Sequence, residues 1–334
     1  MSEDTKPAVH QGRVVVLGTG GTIAGKAARR DDLSGYVAGQ VSAADLVAGI
    51  PGLDTAPLEV EQVAQIDSKD MGLSVWQLLV ARLLHHLDRD DVQGVVITHG
   101  TDTLEETAYL LHALLRPAKP VVLTCAMRPA TALAPDGPQN LSDAVLLART
   151  HGAKGVLVLC ASKVHGAVDV TKVHPYATDA FDSGEAGMIG VVEHGQFRRF
   201  RDWPEPLLEG GVVESARGRS LVQRFLGATE LPRVELVFSH AGATGDTVRC
   251  LLNGAAGLGV PRLRGIVVAA TGNGSLHQAL ELALQDARAQ GVSVLRGTRC
   301  PLGRVLASPG NWPDTNGLSP VKARLALALD LLEA

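Results

Sequence analysis

The segment from Val95 to Glu106, VVITHGTDTLEE, constrains the fold more than any other stretch of the chain. Val95-Val96-Ile97 is apolar and β-branched, the composition of a strand buried on both faces. The run stops at His99-Gly100-Thr101-Asp102-Thr103, and a helical pattern follows. Thr103 and Glu106 have the spacing of a capping box, which satisfies free N–H groups at a helix start. Gly100, Thr101 and Asp102 are therefore expected in the turn at the carboxyl end of a strand. Open α/β sheets bind small molecules at that place. A hydroxyl beside a carboxylate there suggests hydroxyl chemistry on a small substrate.

The same alternation runs through the chain. Strands are expected at residues 14–17, 58–63, 95–97, 121–123 and 156–159, with helices near 43–49, 75–87, 104–115 and 141–150. Such alternation predicts a mostly parallel sheet covered by helices. Between residues 197 and 231 the pattern breaks into Arg198, Arg199, Arg201, Pro204, Pro206 and several glycines, a linker composition. Alternation resumes with strands at 234–238, 265–270 and 292–295 and helices from about 247 and over 276–289. Ser275 with Gln278 repeats the capping-box spacing. Ser319-Pro320 reads as an N-cap followed by proline at the first helical position. The expected organisation is an N-terminal α/β domain (1–199), a linker (200–231) and a smaller C-terminal α/β domain (232–334).

The 334 residues include 35 acidic and 31 basic side chains, for a net charge of −4. That balance gives no electrostatic footprint for nucleic acid, and aromatics at 3% leave little for base stacking. No apolar run is long enough to span a membrane. The polar start, MSEDTKPAVHQGR, lacks the apolar core of a secretory signal, so a cytoplasmic protein is expected unless a signal has been removed. Cys125, Cys160, Cys250 and Cys300 form no Cys-x-x-Cys pair, and Cys125 and Cys160 read as buried free thiols. The histidines show no metal-ligand spacing, and His85-His86 read as surface residues.

A second glycine-rich turn follows the first strand: Gly18-Thr19-Gly20-Gly21-Thr22-Ile23-Ala24-Gly25-Lys26. A dinucleotide fingerprint fails at Ile23, where a third glycine is required. A phosphate loop fails at Ala27, where a hydroxyl should meet magnesium. The glycines either make only a tight turn or give a substrate close access to the backbone. In the second case Thr22 is a candidate nucleophile and nearby N–H groups candidate oxyanion donors. Asp102 and Thr103 have the alternative reading of helix caps, Lys172 that of a solvated lysine, and His99 that of a structural residue holding its turn.

Together these segments resemble the bacterial L-asparaginase family, the threonine-dependent amidohydrolases. Residues 19–25 match its first signature and 98–103 its second. Ala126-Met127-Arg128-Pro129-Ala130-Thr131, with Asp136-Gly137-Pro138 and Asn140-Leu141, resembles its middle block. Asp169-Val170-Thr171-Lys172 matches the block carrying the catalytic lysine, and Gly272-Asn273-Gly274 and Lys322-Ala323-Arg324 resemble C-terminal features. The resemblance implies hydrolysis of L-asparagine to L-aspartate and ammonia, without cofactor or metal. Thr22 is then the favoured nucleophile, although spacing does not decide between Thr22 and Thr101 for the first attack. Tyr36 is the lid tyrosine that contacts Thr22, and Thr101, Asp102 and Lys172 form a proton-relay group. Ser68 binds the α-carboxylate and Asp102 the α-ammonium, and Asn273 is donated to a neighbouring subunit. The resemblance also implies a flavodoxin-like N-terminal sheet, a mobile lid around residues 22–40, and a homotetramer of close dimers with shared sites.

Two positions depart from the family. Lys69 stands where a glutamine often contributes to the ammonium site. Residues 301–320 contain no glutamate, where many members have one that reaches into a partner's site; Asp314 is the sole acid there. Weak affinity for asparagine is the expected result. Glutamine, D-asparagine, another small amide, or ligand binding by a decayed site are the alternative readings.

Overall fold

The computed structural model describes residues 12–29, 31, 35–53, 57–204, 216–254, 259–306 and 312–333. Its larger sheet begins with β1 (Arg13–Gly20), β2 (Leu58–Ile66), β3 (Val92–Thr98), β4 (Pro120–Thr124) and β5 (Gly155–Cys160). All are parallel, in the order β2-β1-β3-β4-β5, which is the flavodoxin order. The sheet continues antiparallel through β6 (Lys163–Gly166). A two-stranded ribbon of β7 (Thr171–Lys172) and β8 (Phe181–Asp182) follows, and then β9 (Gly190–Glu193) and β10 (Gln196–Arg199) complete the eight-stranded sheet.

Both faces of the parallel strands are covered. Val15, Leu17, Val95, Ile97, Val121, Leu123, Val156 and Val158 point one way, against α2 (Leu73–Leu87) and α3 (Leu104–Leu115). Val14, Val16, Val96, Val122, Leu157 and Leu159 point the other way, against α1 (Ala43–Ala48) and α4 (Gly137–Ala148). This explains the nearly unbroken apolar runs, since a strand with two dry faces has no polar side to alternate with. Full burial of each such Val, Ile or Leu contributes about 1.5–3 kcal/mol.

The segment expected as a linker contains a helix, α5 (Ala216–Gly227), while residues 205–215 of it lie outside the described residues. Leu221, Val222, Phe225 and Leu226 recur at helical spacing, and Phe225 is fully buried in the main core. Arginine and glycine around these four residues mask that stripe in the composition. The smaller sheet is parallel: β11 (Arg233–Phe238), β12 (Leu263–Ala270) and β13 (Ser293–Thr298). The helices α6 (Asp246–Asn253) and α7 (Gln278–Ala289) cover one face, where Ile266, Val268, Leu280, Ala283 and Leu284 meet. The last helix, α8 (Pro320–Glu333), covers the other and joins the two units. Its Ala323, Leu327 and Ala328 pack on Val234 and Val267, and its Leu325 and Leu329 enter the larger core. The protein thus has two α/β domains, and no helix among the described residues is long and apolar enough to cross a membrane.

Three local expectations need correction. Thr103 occupies the N-cap of α3 without a side-chain cap, because its hydroxyl donates instead to the carbonyl of Ser68 at 2.7 Å. Ser275 closes a turn with Thr271, and His277 caps α7 by accepting from Ala279 N. His86 is fully buried, since Glu61 on the edge strand β2 holds its Nε2 at 3.0 Å beside Arg82. His85 next to it is exposed.

Candidate active site

Three turns converge at the carboxyl ends of β1, β2 and β3, and glycine lets them touch. Gly21 has φ of 78°, a backbone that side chains rarely adopt, and a Cβ there would lie 2.4 Å from Gly100 N and Cα. A Cβ on Gly100 would lie 2.5 Å from Ser68 Oγ. The two glycine turns singled out in the sequence are therefore in direct backbone contact, with Ser68 beside them. The tight-turn reading of these glycines holds: Gly20 and Gly21 both adopt positive φ, and the turn packs directly on that of Gly100.

Thr22 is buried in a single 3-10 turn after β1. Its Oγ1 lies 2.6 Å from the Tyr36 hydroxyl, and either atom can donate. Residues 35–40 are seated on the turn by a Lys26–Val37 bridge, by Gly39 N donating to Gly21 O, and by Gln40 N donating to Ala24 O. Residues 30 and 32–34 of the expected lid lie outside the described residues.

Thr101 is buried in the turn after β3, and its Oγ1 accepts from Lys172 Nζ at 2.8 Å. The same ammonium donates to Asp102 Oδ1 at 2.7 Å. Lys172 is thus a paired residue rather than a solvated one, while the Asp102 side chain keeps 55% of its surface exposed and has a carboxylate oxygen to offer. Ser68 Oγ accepts from Asp102 N at 3.2 Å and retains its own proton to donate. The structure therefore brings Thr22 with Tyr36, and Ser68 with Thr101, Asp102 and Lys172, around adjoining turns. Asn273 is not among them: it is exposed on the Thr271–Ser275 turn of the smaller domain, and its Oδ1 accepts from Leu306 N.

Other sequence-selected residues build the frame. His99 is fully buried, donates from Nδ1 to Gly100 O at 2.8 Å, and is pushed by burial down to a pKa of about 4. It is a neutral brace for the turn. Asp136 accepts from Met127 N and Arg128 N, and Asn140 links Cys125 O to Ala161 N, so the middle block fixes the loops after β4 and β5. Cys125 and Cys160 are buried free thiols at the ends of these two neighbouring strands. Lys69 turns outward, 2.5 Å from Asp67 and 3.7 Å from Asp70, with 61% of its side chain exposed. Those carboxylates raise its pKa. Asp314 caps its own turn at Asn316 N. No group of three or more His, Cys, Asp or Glu among the described residues is placed to hold a metal.

Sequence reasoning missed Glu105 entirely and saw Lys322 only as part of a C-terminal resemblance. Glu105 is nearly buried at the start of α3 and accepts from Lys172 N at 3.4 Å. Lys322 is 1% exposed on α8 and donates to the carbonyls of Val168 and Val170. The signal for both was the same: a charged residue in the apolar stripe of a helix.

Residues 13–205 match the family model described as Asparaginase, N-terminal, and residues 233–333 match the Glutaminase/Asparaginase C-terminal domain. L-asparaginase 2 of Bacillus subtilis (strain 168) is 34% identical over 323 residues, covering 95% of this chain and 81% of that protein. Glutaminase-asparaginase of Pseudomonas fluorescens biotype A is 35% identical, covering 93% of this chain and 84% of its own length. The crystal structure of a probable cytoplasmic L-asparaginase from Campylobacter jejuni superposes with a TM-score of 0.83 at 33% identity, covering 97% of this chain and 96% of that one.

Proposed function

The chain belongs to the asparaginase family through both of its domains, and on that premise we propose that it hydrolyses the side-chain amide of L-asparagine to L-aspartate and ammonia. The observation that carries this reading is the pair of hydroxyls on touching turns. Thr22 meets Tyr36, and Thr101 meets the Lys172 ammonium that also holds Asp102.

A threonine hydroxyl is a weak nucleophile unless a neighbour takes its proton, and an amide nitrogen leaves only once protonated. As Thr22 Oγ1 attacks the amide carbon it passes its proton to the Tyr36 oxygen it contacts, N–H donors of the turns hold the tetrahedral oxyanion, and that proton is the one delivered to the leaving nitrogen. Collapse breaks the C–N bond, a proton goes to the nitrogen, and ammonia leaves an ester on Thr22. Water hydrolyses that ester, with Thr101 and Lys172 relaying the protons. Ser68 donates to the α-carboxylate and Asp102 holds the α-ammonium. Asn273, exposed and pinned on its turn, serves a neighbouring subunit of a homotetramer in the cytoplasm.

With no glutamate in residues 301–320 and Asp314 engaged in its own turn, Asp102 is the main ammonium anchor. One charge-assisted contact fewer costs about 1.5–3 kcal/mol, which raises KM roughly 10- to 100-fold. That feature favours a second reading on the same machinery, an amide that lacks the free ammonium, while the likeness to a glutaminase-asparaginase supports glutamine. Ammonia release across L-asparagine, L-glutamine, D-asparagine and a des-amino amide separates the readings. A micromolar KM for asparagine would show that another group fills the ammonium site. Thr22→Ala is expected to lower turnover by about four to six orders of magnitude and to abolish the trapped acyl-enzyme. A full acyl-enzyme burst from that variant would remove Thr22 as nucleophile. Light scattering of the active enzyme tests the assembly, and an active monomer would end the shared-site reading.

A further inference from the structure

Lys172 lies at the end of β7, a strand of two residues paired only with the two residues of β8. So short a ribbon does not fix the direction of its own side chains. The segment that leads into it, residues 166–170, turns back on Gly166 O through the N–H groups of Asp169 and Val170. Its next carbonyl groups are taken from outside the ribbon. Lys322 Nζ donates to Val168 O at 2.9 Å and to Val170 O, and Glu105 Oε1 accepts from Lys172 N. Every second residue from 168 to 172 is thus held by a side chain of α8 or α3.

A lysine 1% exposed, among Ala323 and Leu325 of a packed helix, is costly unless its ammonium has fixed partners. An apolar residue would fill the helix stripe as well. Burial lowers Lys322 to a pKa of about 8, against the attraction of Glu105 and Asp169, and burial raises Glu105. The retained ammonium is spent on two backbone carbonyls, within four residues of Lys172.

We propose that Lys322 is a positioning residue for the reaction: from the C-terminal helix it fixes the backbone before Lys172, so that Lys172 Nζ reaches both Thr101 Oγ1 and Asp102 Oδ1. The proposal rests on the reading of Lys172 as proton relay. Glu105 completes the hold from α3, the helix that begins directly after Thr101 and Asp102, so both sides of the contact refer to one rigid element. The smaller domain then acts in the active site of its own chain without touching substrate.

Lys322→Met in the full chain tests this. Because misplacement by about 1 Å costs about 10²-fold, kcat is expected to fall 10- to 100-fold while KM stays within about twofold. In a Lys172→Met background the same substitution is expected to change the residual rate by less than about twofold, since residues acting as a unit are not additive. A structural lysine would instead lower Tm and multiply with Lys172→Met, and that result would overturn the proposal. A crystal structure of Lys322→Met supplies a readout independent of turnover. Loss of the Lys172–Thr101 contact supports the proposal, and an unmoved Lys172 overturns it even if no tested amide is a substrate. Full activity of Lys172→Met would instead refute the relay reading. Should Lys322→Met not fold, Glu105→Leu, which removes the acceptor for Lys172 N, is read in the same way: a lower kcat at unchanged KM supports the hold, and an unchanged kcat overturns it.

Discussion

A single hydroxyl, carboxylate or ammonium in this chain takes its role from what lies within 3 Å of it. Thr101 and Thr103 are two residues apart, yet one accepts from Lys172 and the other donates to Ser68 O. Sequence spacing suggested a helix cap for Thr103, and the tertiary partner displaced it. Lys69 makes the opposite point. In the sequence it threatened the ammonium site; in the structure its charge is spent on Asp67 and Asp70 at the surface. Pairs this exposed are screened by solvent, and the ammonium points at its own turn's carboxylates, so Lys69→Ala is expected to leave kcat and KM within about twofold of the parent. A tenfold fall in KM for asparagine on removing Lys69 would show that its charge does reach the substrate.

At the scale of elements, the geometry of the candidate site is set by how closely three turns approach. Gly21 and Gly100 lack side chains at their contact, and a Cβ on Gly21 would sit 2.4 Å from backbone that cannot rotate away. Gly21→Ala adds both that overlap and a strained positive φ. It is expected to destabilise the fold by about 2–4 kcal/mol and to lower kcat. Urea unfolding with an unchanged midpoint would contradict this. The parallel strands and the longer helices were legible because apolar runs and 3.6-residue stripes repeat often enough to be seen. The strands β6 to β10, of two to four residues each, carry too few periods to announce themselves, and α5 was hidden by its arginines and glycines. The two glycine turns and Lys172 stood out in the sequence as candidates because their motifs are local, and the structure sets the turns in contact and Lys172 on Thr101 and Asp102. Glu105 and Lys322 were not, because their partners lie 67 and 152 or more residues away in the chain.

For the whole molecule, burial of titratable groups couples stability to pH. His99, His112 and His165 are each driven by burial from 6.5 to about 4. The folded pKa lies below the unfolded one, so the unfolded chain binds more protons between those values. Stability is therefore complete above about pH 6.5 and declines as pH falls toward about 4, by ~1.4 kcal/mol per pH unit for each histidine. Glu105 and Asp143, raised by burial, take up protons in the folded state and offset part of the loss. Urea midpoints are expected to drop between pH 6.5 and 4, and a flat profile would show that the three rings titrate in the native protein as they do in the unfolded chain. The chain by itself determined the doubly covered sheet, the two glycine turns and the residue types gathered at their ends, because strand periodicity and turn chemistry are local properties. Only the tertiary structure decided that Thr101, Asp102 and Lys172 share one hydrogen-bonded centre, that Lys69 pairs with Asp67 and Asp70 at the surface, and that a helix of the smaller domain hydrogen-bonds the segment leading to Lys172. Those outcomes depend on the approach of surfaces distant in sequence, where burial and close packing choose among partners that no local pattern ranks.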